Sequence, residues 1–532
     1  MLLAWLIGII ACLVVYYVLS AKRKFEYWQK RGVPGPRPWP FFGLFVQKIK
    51  MGMGKFDAWG NQTYGRVWGS FERDQPVITI NDPDMLRLIL VKDFSHFINR
   101  RDADINGPLL DNAVSVLHDQ KWKDVRSALI PTFTSGRLKE MNGLINECCD
   151  ILIANLGKKA DSGEEFECQG LFRTVTMDVI ASTFFGTKID SQNDPNNAFT
   201  KNATEAFNFT ALNPALITYL FFPWALPLVK KFDVQFINKK YIDFFVENTK
   251  EIIKMRTESN VVRKDFLQLM LNSMQGTGKN SERKLAEPVA DLAVDTDESQ
   301  DADIISHHLS EGSFQEKPLS HKNYKLTLDE VVAQSIIFFM AGFETTATTL
   351  TFLTYCLALD QGIQDKLRQS IEEVMQDLEE PTYAAIAQMQ YLDNCVNEIL
   401  RLYPPASKTE RECNADWEYK GLKIAKGTLV TIPIYAIQRD PEFWPNPDVF
   451  DPDRFSYENK QKIKPYTFTT FGQGPRNCIG MRFAYYEIKM VMVHILRNFR
   501  ILPCAKTEVP LILKDMGFIS PKNGAWVRLE RL

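Results

Sequence analysis

The chain has 532 residues, 45% apolar, 12% aromatic and 24% charged, a balance that excludes a disordered or collagen-like protein. Its 63 Lys and Arg against 65 Asp and Glu give a net charge of -2, which removes any whole-chain case for nucleic-acid binding. Nine Cys, an odd number with no Cys-x-x-Cys pair, argue against a disulfide scaffold and a zinc ribbon and fit a reducing compartment.

Residues 1–21 carry no charge, and Lys22, Arg23 and Lys24 follow at once. About 20 apolar residues span a bilayer core, and positive residues stay on the cytoplasmic side. The segment therefore reads as an uncleaved transmembrane anchor with the rest of the chain in the cytosol. Residues 22–40 are basic and then proline-rich (Pro34, Pro36, Pro38), which predicts a stiff hinge. Residues 41–532 form the body.

Within the body, helical patterns dominate, as at Arg263–Met274 and Gly362–Leu378, and strand-like runs such as Val77–Ile80 and Thr428–Ile434 are few. The expected class is mainly α with small β-sheets. Between Glu287 and Asp303 stand seven acids and no base, so 276–322 reads as a solvated surface insertion. Thr327 and Glu330 form a capping box that starts a long helix reaching about Ala358. Glu344 is its one charge after Val331, but Gln334, Ser335 and six Thr between 345 and 354 favour a buried core helix over a second membrane span.

The most informative stretch is Phe471-Gly472-Gln473-Gly474-Pro475-Arg476-Asn477-Cys478-Ile479-Gly480, followed by a helical pattern from Met481 to Leu496. A helix N-terminus favours a thiolate. The glycines allow close backbone approach, Arg476 can pair with an anion, and Phe471 can wall off water. These are the needs of a thiolate that ligates iron porphyrin. A Cys in a Gly-rich loop can equally be structural or a nucleophile, although a nucleophile needs a base and His494 is the one His nearby.

The decapeptide resembles the haem-binding loop of the cytochromes P-450, and the resemblance extends over nearly the whole chain. It implies that fold, with haem b held by Cys478 as axial iron ligand. Glu398-Ile-Leu-Arg401 resembles the family's Glu-x-x-Arg motif and implies, with Arg454 of Pro-Asp-Arg-Phe, a buried structural network. Ala341-Gly342-Phe343-Glu344-Thr345-Thr346 resembles the oxygen-activation signature and implies a Glu344–Thr345 acid–alcohol pair that relays protons for O–O cleavage. A mid-helix Gly342 calls for compensation, either room for a ligand or close helix packing. Trp122 and Arg126, one turn apart, resemble haem-propionate partners together with Arg100, Arg411 and Arg476. By family position the substrate pocket is Ile337, Phe338, Ala341, Ala406, Ser407 and Thr409, with Leu109, Leu110, Phe207, Phe209 and Met516 as looser candidates. Gln438 stands where many relatives carry His.

The implied activity is monooxygenation of lipophilic substrates such as insecticides or plant toxins. Its electrons come from NADPH through a reductase, with cytochrome b5 as a further candidate partner, in the endoplasmic reticulum membrane. Asn99-Arg100-Arg101 and the stretches Pro131–Gly136 and Arg263–Leu267 resemble the insect detoxification branch, family nine, and also vertebrate drug-metabolising members. Lys121, Lys123, Arg137, Lys139 and Lys489 are candidates for a basic face toward the reductase. The alternatives are an endogenous lipid or hormone hydroxylase, a haem-thiolate isomerase or dehydratase, an anchored haem-binding sensor, and a haem-free cysteine hydrolase.

Overall fold

The helix Leu328–Leu359 is the axis on which the other elements are placed. Its N-terminus is held by the expected capping box: the Thr327 hydroxyl accepts from the Glu330 N–H, and the Glu330 carboxylate accepts from the Thr327 N–H. Among the described residues it is the one helix long and apolar enough to cross a membrane, yet its apolar window is 78% buried inside the protein. It is a core helix, as its hydroxyl content predicts.

The computed structural model describes residues 2–40, 42–72, 74–101, 107–194, 196–208, 213–259, 263, 265–275 and 324–532. The expected acidic surface insertion at 276–322 lies outside the described residues.

Helix Cys168–Phe185 packs along the central helix, and Gly342 sits at their crossing. A Cβ at Gly342 would stand 2.9 Å from Ile180 Cδ1, the movable end of a side chain, so the helices pack closely here and a methyl would need Ile180 to shift. Helices Asn142–Ser162, Gln390–Leu402 and Met481–Asn498 complete the helical side of the core.

The main sheet has four strands in the order Val67–Glu72, Gln75–Ile80, Leu429–Ile432, Thr409–Glu412. The second and third are parallel and the outer pairs antiparallel. Among the described residues a three-stranded sheet and two hairpins of short strands are the rest. The architecture is mainly helical with small sheets, as expected. The predicted helices at 263–274 and 362–378 appear at Phe266–Gln275 and Gln361–Met375.

The N-terminal helix runs Leu2–Gln29, so it passes through the basic residues assigned to the hinge. Trp28 near its end is buried and donates from its indole N–H to the Ser70 carbonyl at 2.7 Å. The Gly69 N–H donates to the Pro34 carbonyl at 2.8 Å, so the proline segment is tied to the first strand.

Candidate active site

Cys478 lies just before helix Met481–Asn498, on a loop whose shape Gly474 sets. Gly474 has φ +72°, and a Cβ there would lie 1.9 Å from the Leu90 carbonyl oxygen. The Cys478 N–H donates to the Phe471 carbonyl at 2.7 Å and closes the loop. The Cys478 side chain sits deep in the protein but opens onto a cavity of about 1060 Å³. Burial pushes its thiol pKa up, opposed by the Gly480 N–H and the charges of Arg126 and Arg100.

Four arginines converge on the same cavity. Arg476 donates to the carbonyls of Ile98 and Leu117, both at 2.5 Å, and its guanidinium lies over the Trp122 ring at 4.7 Å. Arg126 donates to the backbone and side-chain oxygens of Asn477 at 2.9 and 2.7 Å. Arg100 donates to the Ser115 and Arg476 carbonyls at 3.4 Å, and Arg411 to its neighbour Glu410's carbonyl at 2.8 Å. The Nε atoms of Arg100, Arg411 and Arg476 are buried without a protein acceptor. Burial and then mutual repulsion lower the pKa of all three, that of Arg476 to about 8. Such a cluster requires anions to satisfy its donors. The two carboxylates of a bound haem would have the chemistry these donors lack.

The central helix forms the opposite wall. Ile337, Phe338, Ala341, Gly342 and Thr345 line the cavity, as do Ala406 and Thr409. The Thr345 hydroxyl donates to the Ala341 carbonyl at 2.6 Å, one turn back. Glu344 does not stand beside it on this wall. One residue along a helix turns the side chain by about a quarter of the circumference, and Glu344 faces helix Cys168–Phe185. There Arg173 holds it bidentately at 2.7 and 2.8 Å, and Gln169 donates at 2.9 Å. Ser407 is also displaced from the expected pocket: it is fully buried, with its N–H on the Gly517 carbonyl at 3.1 Å. Of the looser candidates, Met516 lines the cavity, Leu110 is in the core, Leu109 and Phe207 pack against it, and Phe209 lies outside the described residues.

Behind the cavity the Glu-x-x-Arg motif is closed. Arg401 and Glu398, both fully buried, pair bidentately at 2.7 Å, and Arg454 Nε donates to Glu398 at 3.2 Å. Gln438 joins this network to the approach to the Cys478 loop. Its amide N–H donates to the carbonyls of Leu400 and Arg401 at 3.0 and 3.1 Å, and its oxygen accepts from the Thr469 N–H at 2.8 Å. Of the candidate basic face, Lys489 is buried and donates to Asp393 at 2.8 Å, so it offers nothing to a partner.

The sequence reading missed two parts of the cavity. Phe133, Phe184 and Phe518 add to the apolar lining, and Lys48, Glu72, Arg101, Lys408 and Glu410 form a charged wall. These residues come from separate segments with no shared motif, so only the fold assembles them.

A cysteine that opens onto a cavity ringed by arginines in need of acceptors is the kind of site that suits a haem-thiolate protein. Residues 33–528 match the cytochrome P450 family, and the chain belongs to it. It is 40% identical over 499 residues to cytochrome P450 3A29 of Sus scrofa, covering 93% of this chain and 90% of that protein. It is 38% identical over 530 residues to cytochrome P450 3A7 of Homo sapiens, covering 99% and 96%. With cytochrome P450 3A9 of Rattus norvegicus the identity is 37% over 521 residues, covering 98% and 95%. These three are vertebrate proteins, not members of the insect branch that the sequence motifs resemble. The protein is a monooxygenase that binds haem b and uses NADPH-derived electrons delivered through a reductase.

Proposed function

We propose that Cys478 is the axial ligand of the haem iron, and that Arg100, Trp122, Arg126, Arg411 and Arg476 hold the propionates, with Phe471 shielding the thiolate side. The observation that carries this reading is the convergence of Cys478 and three arginines with unmet Nε donors on one cavity. When bound, the haem supplies oxygen activation, with the thiolate donating electron density to the iron. The chain's residues do the rest. The loop N–H groups set the basicity of Cys478. Ile337, Phe338, Ala341, Ala406 and Thr409 confine an apolar substrate and exclude water. Thr345 presents a hydroxyl at the cavity wall, and Glu344 supports it from behind as a positioning residue held by Arg173. Glu398, Arg401 and Arg454 brace the loop.

We further infer an N-terminal anchor, residues 1–21, in the endoplasmic reticulum membrane, a connecting segment to residue 40 and a cytosolic catalytic domain from 41 onward. Exposed Trp5, Val14, Val15, Tyr16, Val18 and Leu19 on the N-terminal helix support the anchor. The partners are a microsomal NADPH-dependent reductase and, as an accessory donor, cytochrome b5. The substrates are lipophilic xenobiotics, in the manner of the insect detoxification branch that the Asn99-Arg100-Arg101 and Arg263–Leu267 stretches resemble. A carbon-monoxide difference spectrum of the reduced protein tests the site. A strongly red-shifted Soret band is expected. An unshifted haem band removes Cys478 from the iron. NADPH-driven oxidation of a lipophilic substrate with reductase tests the activity.

A further inference from the structure

Gln334 stands on the cavity stripe of the central helix and yet is outside the cavity lining. Ile337, Phe338, Ala341 and Thr345 line the cavity, and Gln334 lies on the same face one turn nearer the N-terminus. It is fully buried. The short helical turn Leu110–Asn112 and the residues just after it cover it.

The cover is held by a paired contact. The Gln334 Nε2 donates to the Asn112 carbonyl at 2.7 Å, and its Oε1 accepts from the Val114 N–H at 2.8 Å. Asn112 and Val114 are two residues apart, so one turn offers a carbonyl and an N–H to a single amide. A primary amide carries a donor and an acceptor side by side without charge. Buried and unbonded it would be costly, and buried and bonded it is shielded from competing water. Asn112, Ala113, Val116 and Leu117 donate to carbonyls three or four residues back within the segment, whereas Val114 donates across to the helix.

The consequence falls on the cavity, because Val114, Ser115 and Val116 line it. Their backbone is anchored at Val114 by Gln334, at the Ser115 carbonyl by Arg100 at 3.4 Å, and at the Leu117 carbonyl by Arg476 at 2.5 Å. The arginine anchors belong to the cluster around Cys478, and Gln334 supplies the anchor on the central helix. Outside regular structure a segment is ordered at an entropic cost, and few bonds decide how readily it opens. An apolar substrate lying between Phe338 and Val116 would find this wall fixed only while the amide holds it.

We propose that Gln334 is a positioning residue for the oxidation: it latches Val114 and Val116 as a fixed wall of the cavity and thereby sets how an apolar substrate lies there. The proposal rests on the haem-thiolate reading for what the cavity holds, and on the two amide hydrogen bonds alone for the latch.

Gln364 supplies the control. It too is fully buried, donates to the Leu357 and Ile501 carbonyls and accepts from the Ile501 N–H, all at 2.8 Å, but it is outside the cavity lining. The test uses full-length holoenzyme in phosphatidylcholine vesicles. Backbone hydrogen exchange is read by mass spectrometry on peptides spanning 110–117, and in the wild type Val114 is expected to exchange slowly. Exchange there as fast as in an unstructured peptide overturns the proposal without any variant. In Gln334→Leu exchange at Val114 should accelerate by about tenfold or more, and in Gln364→Leu it should stay within about twofold of wild type. Imidazole and 1-dodecylimidazole are then titrated by the Soret shift at fixed lipid concentration. In Gln334→Leu the dodecyl compound should bind about tenfold more weakly while imidazole stays within about twofold, because only the chain reaches the wall. Unchanged affinity for both, or an equal loss for both, overturns the proposal, as does the same selective loss in Gln364→Leu. If the carbon-monoxide spectrum of the same samples lacks its red-shifted band, the haem-thiolate reading fails and the exchange rates still decide the latch.

Discussion

Arg173 closes over Glu344 with two parallel hydrogen bonds, Nε to Oε2 at 2.8 Å and Nη2 to Oε1 at 2.7 Å. The pair joins helix Cys168–Phe185 to the central helix one residue before Thr345. A planar guanidinium makes this clamp and an ammonium cannot reproduce it. Arg173→Ala should lower stability by about 2–3 kcal/mol, since a buried carboxylate loses its cation although the arginine is partly solvated. Arg173→Lys should recover about half of that. Urea unfolding of the three proteins measures both. Equal stability of wild type and Arg173→Ala would show that Gln169 and solvent suffice for Glu344.

Gly342 and Ile180 form a second, apolar coupling between the same helices. Gly342→Ala should destabilise by about 1–2 kcal/mol through overpacking, despite alanine's better helix propensity. Ile180→Val removes the Cδ1 atom that the new methyl would meet. In the double variant most of the loss should disappear, giving an interaction energy near 1 kcal/mol in a double-mutant cycle. Additive effects would mean that the backbones, not this contact, set the spacing.

Gly474→Ala is expected to be far more damaging. It combines a left-handed backbone with a Cβ placed 1.9 Å from the Leu90 carbonyl oxygen. Left-handed geometry alone costs about 1–2 kcal/mol, and the overlap forces the thiolate loop to move. Haem content of the purified variant, read by absorbance against protein mass, should fall about tenfold or more, a loss of at least about 1.4 kcal/mol in retention.

Glu487 gives a pH signature. It is fully buried on helix Met481–Asn498, neither carboxyl oxygen has a partner, and burial raises its pKa well above the usual 4.5. The folded protein thus holds a proton that the unfolded chain releases above about pH 4.5. Its contribution is fully present below that pH and is lost as pH rises toward the folded-state value, with a slope of up to about 1.4 kcal/mol per pH unit. Glu487→Gln should flatten the stability profile above pH 4.5, and Glu487→Leu should be more stable than wild type at pH 7.5. A profile identical to wild type in Glu487→Gln would mean that the carboxyl finds water.

What was legible in the sequence was whatever is encoded locally. The capping box at Thr327 and Glu330 was read from spacing and the Glu398–Arg401 pair from a motif, and each joins residues three apart. Placement across elements was not legible. Nothing local says that Glu344 turns toward Arg173, that Ser407 is consumed by Gly517, or that Lys489 points inward at Asp393. Those outcomes depend on which helix lies alongside, which only tertiary packing decides. Gln438 is an instructive case. It stands where many relatives carry His, and its one amide bonds the Arg401 helix end and the approach to the Cys478 loop at once. A residue with both a donor and an acceptor is needed there.

The bonds of Arg476 to Ile98 and Leu117, and of Arg126 to Asn477, connect positions 351 to 378 residues apart. Ribosomes deliver chains from the N-terminus at about 5–20 residues per second. The Trp122–Arg126 helix therefore exists for tens of seconds before the loop it will grip has been made. Through that interval Arg126 waits for Asn477 and the apolar cavity walls lack their last side. Assembly of the porphyrin pocket is thus necessarily a late event in biosynthesis, and a chain truncated before residue 476 would have most of the helical body and no means of closing the pocket.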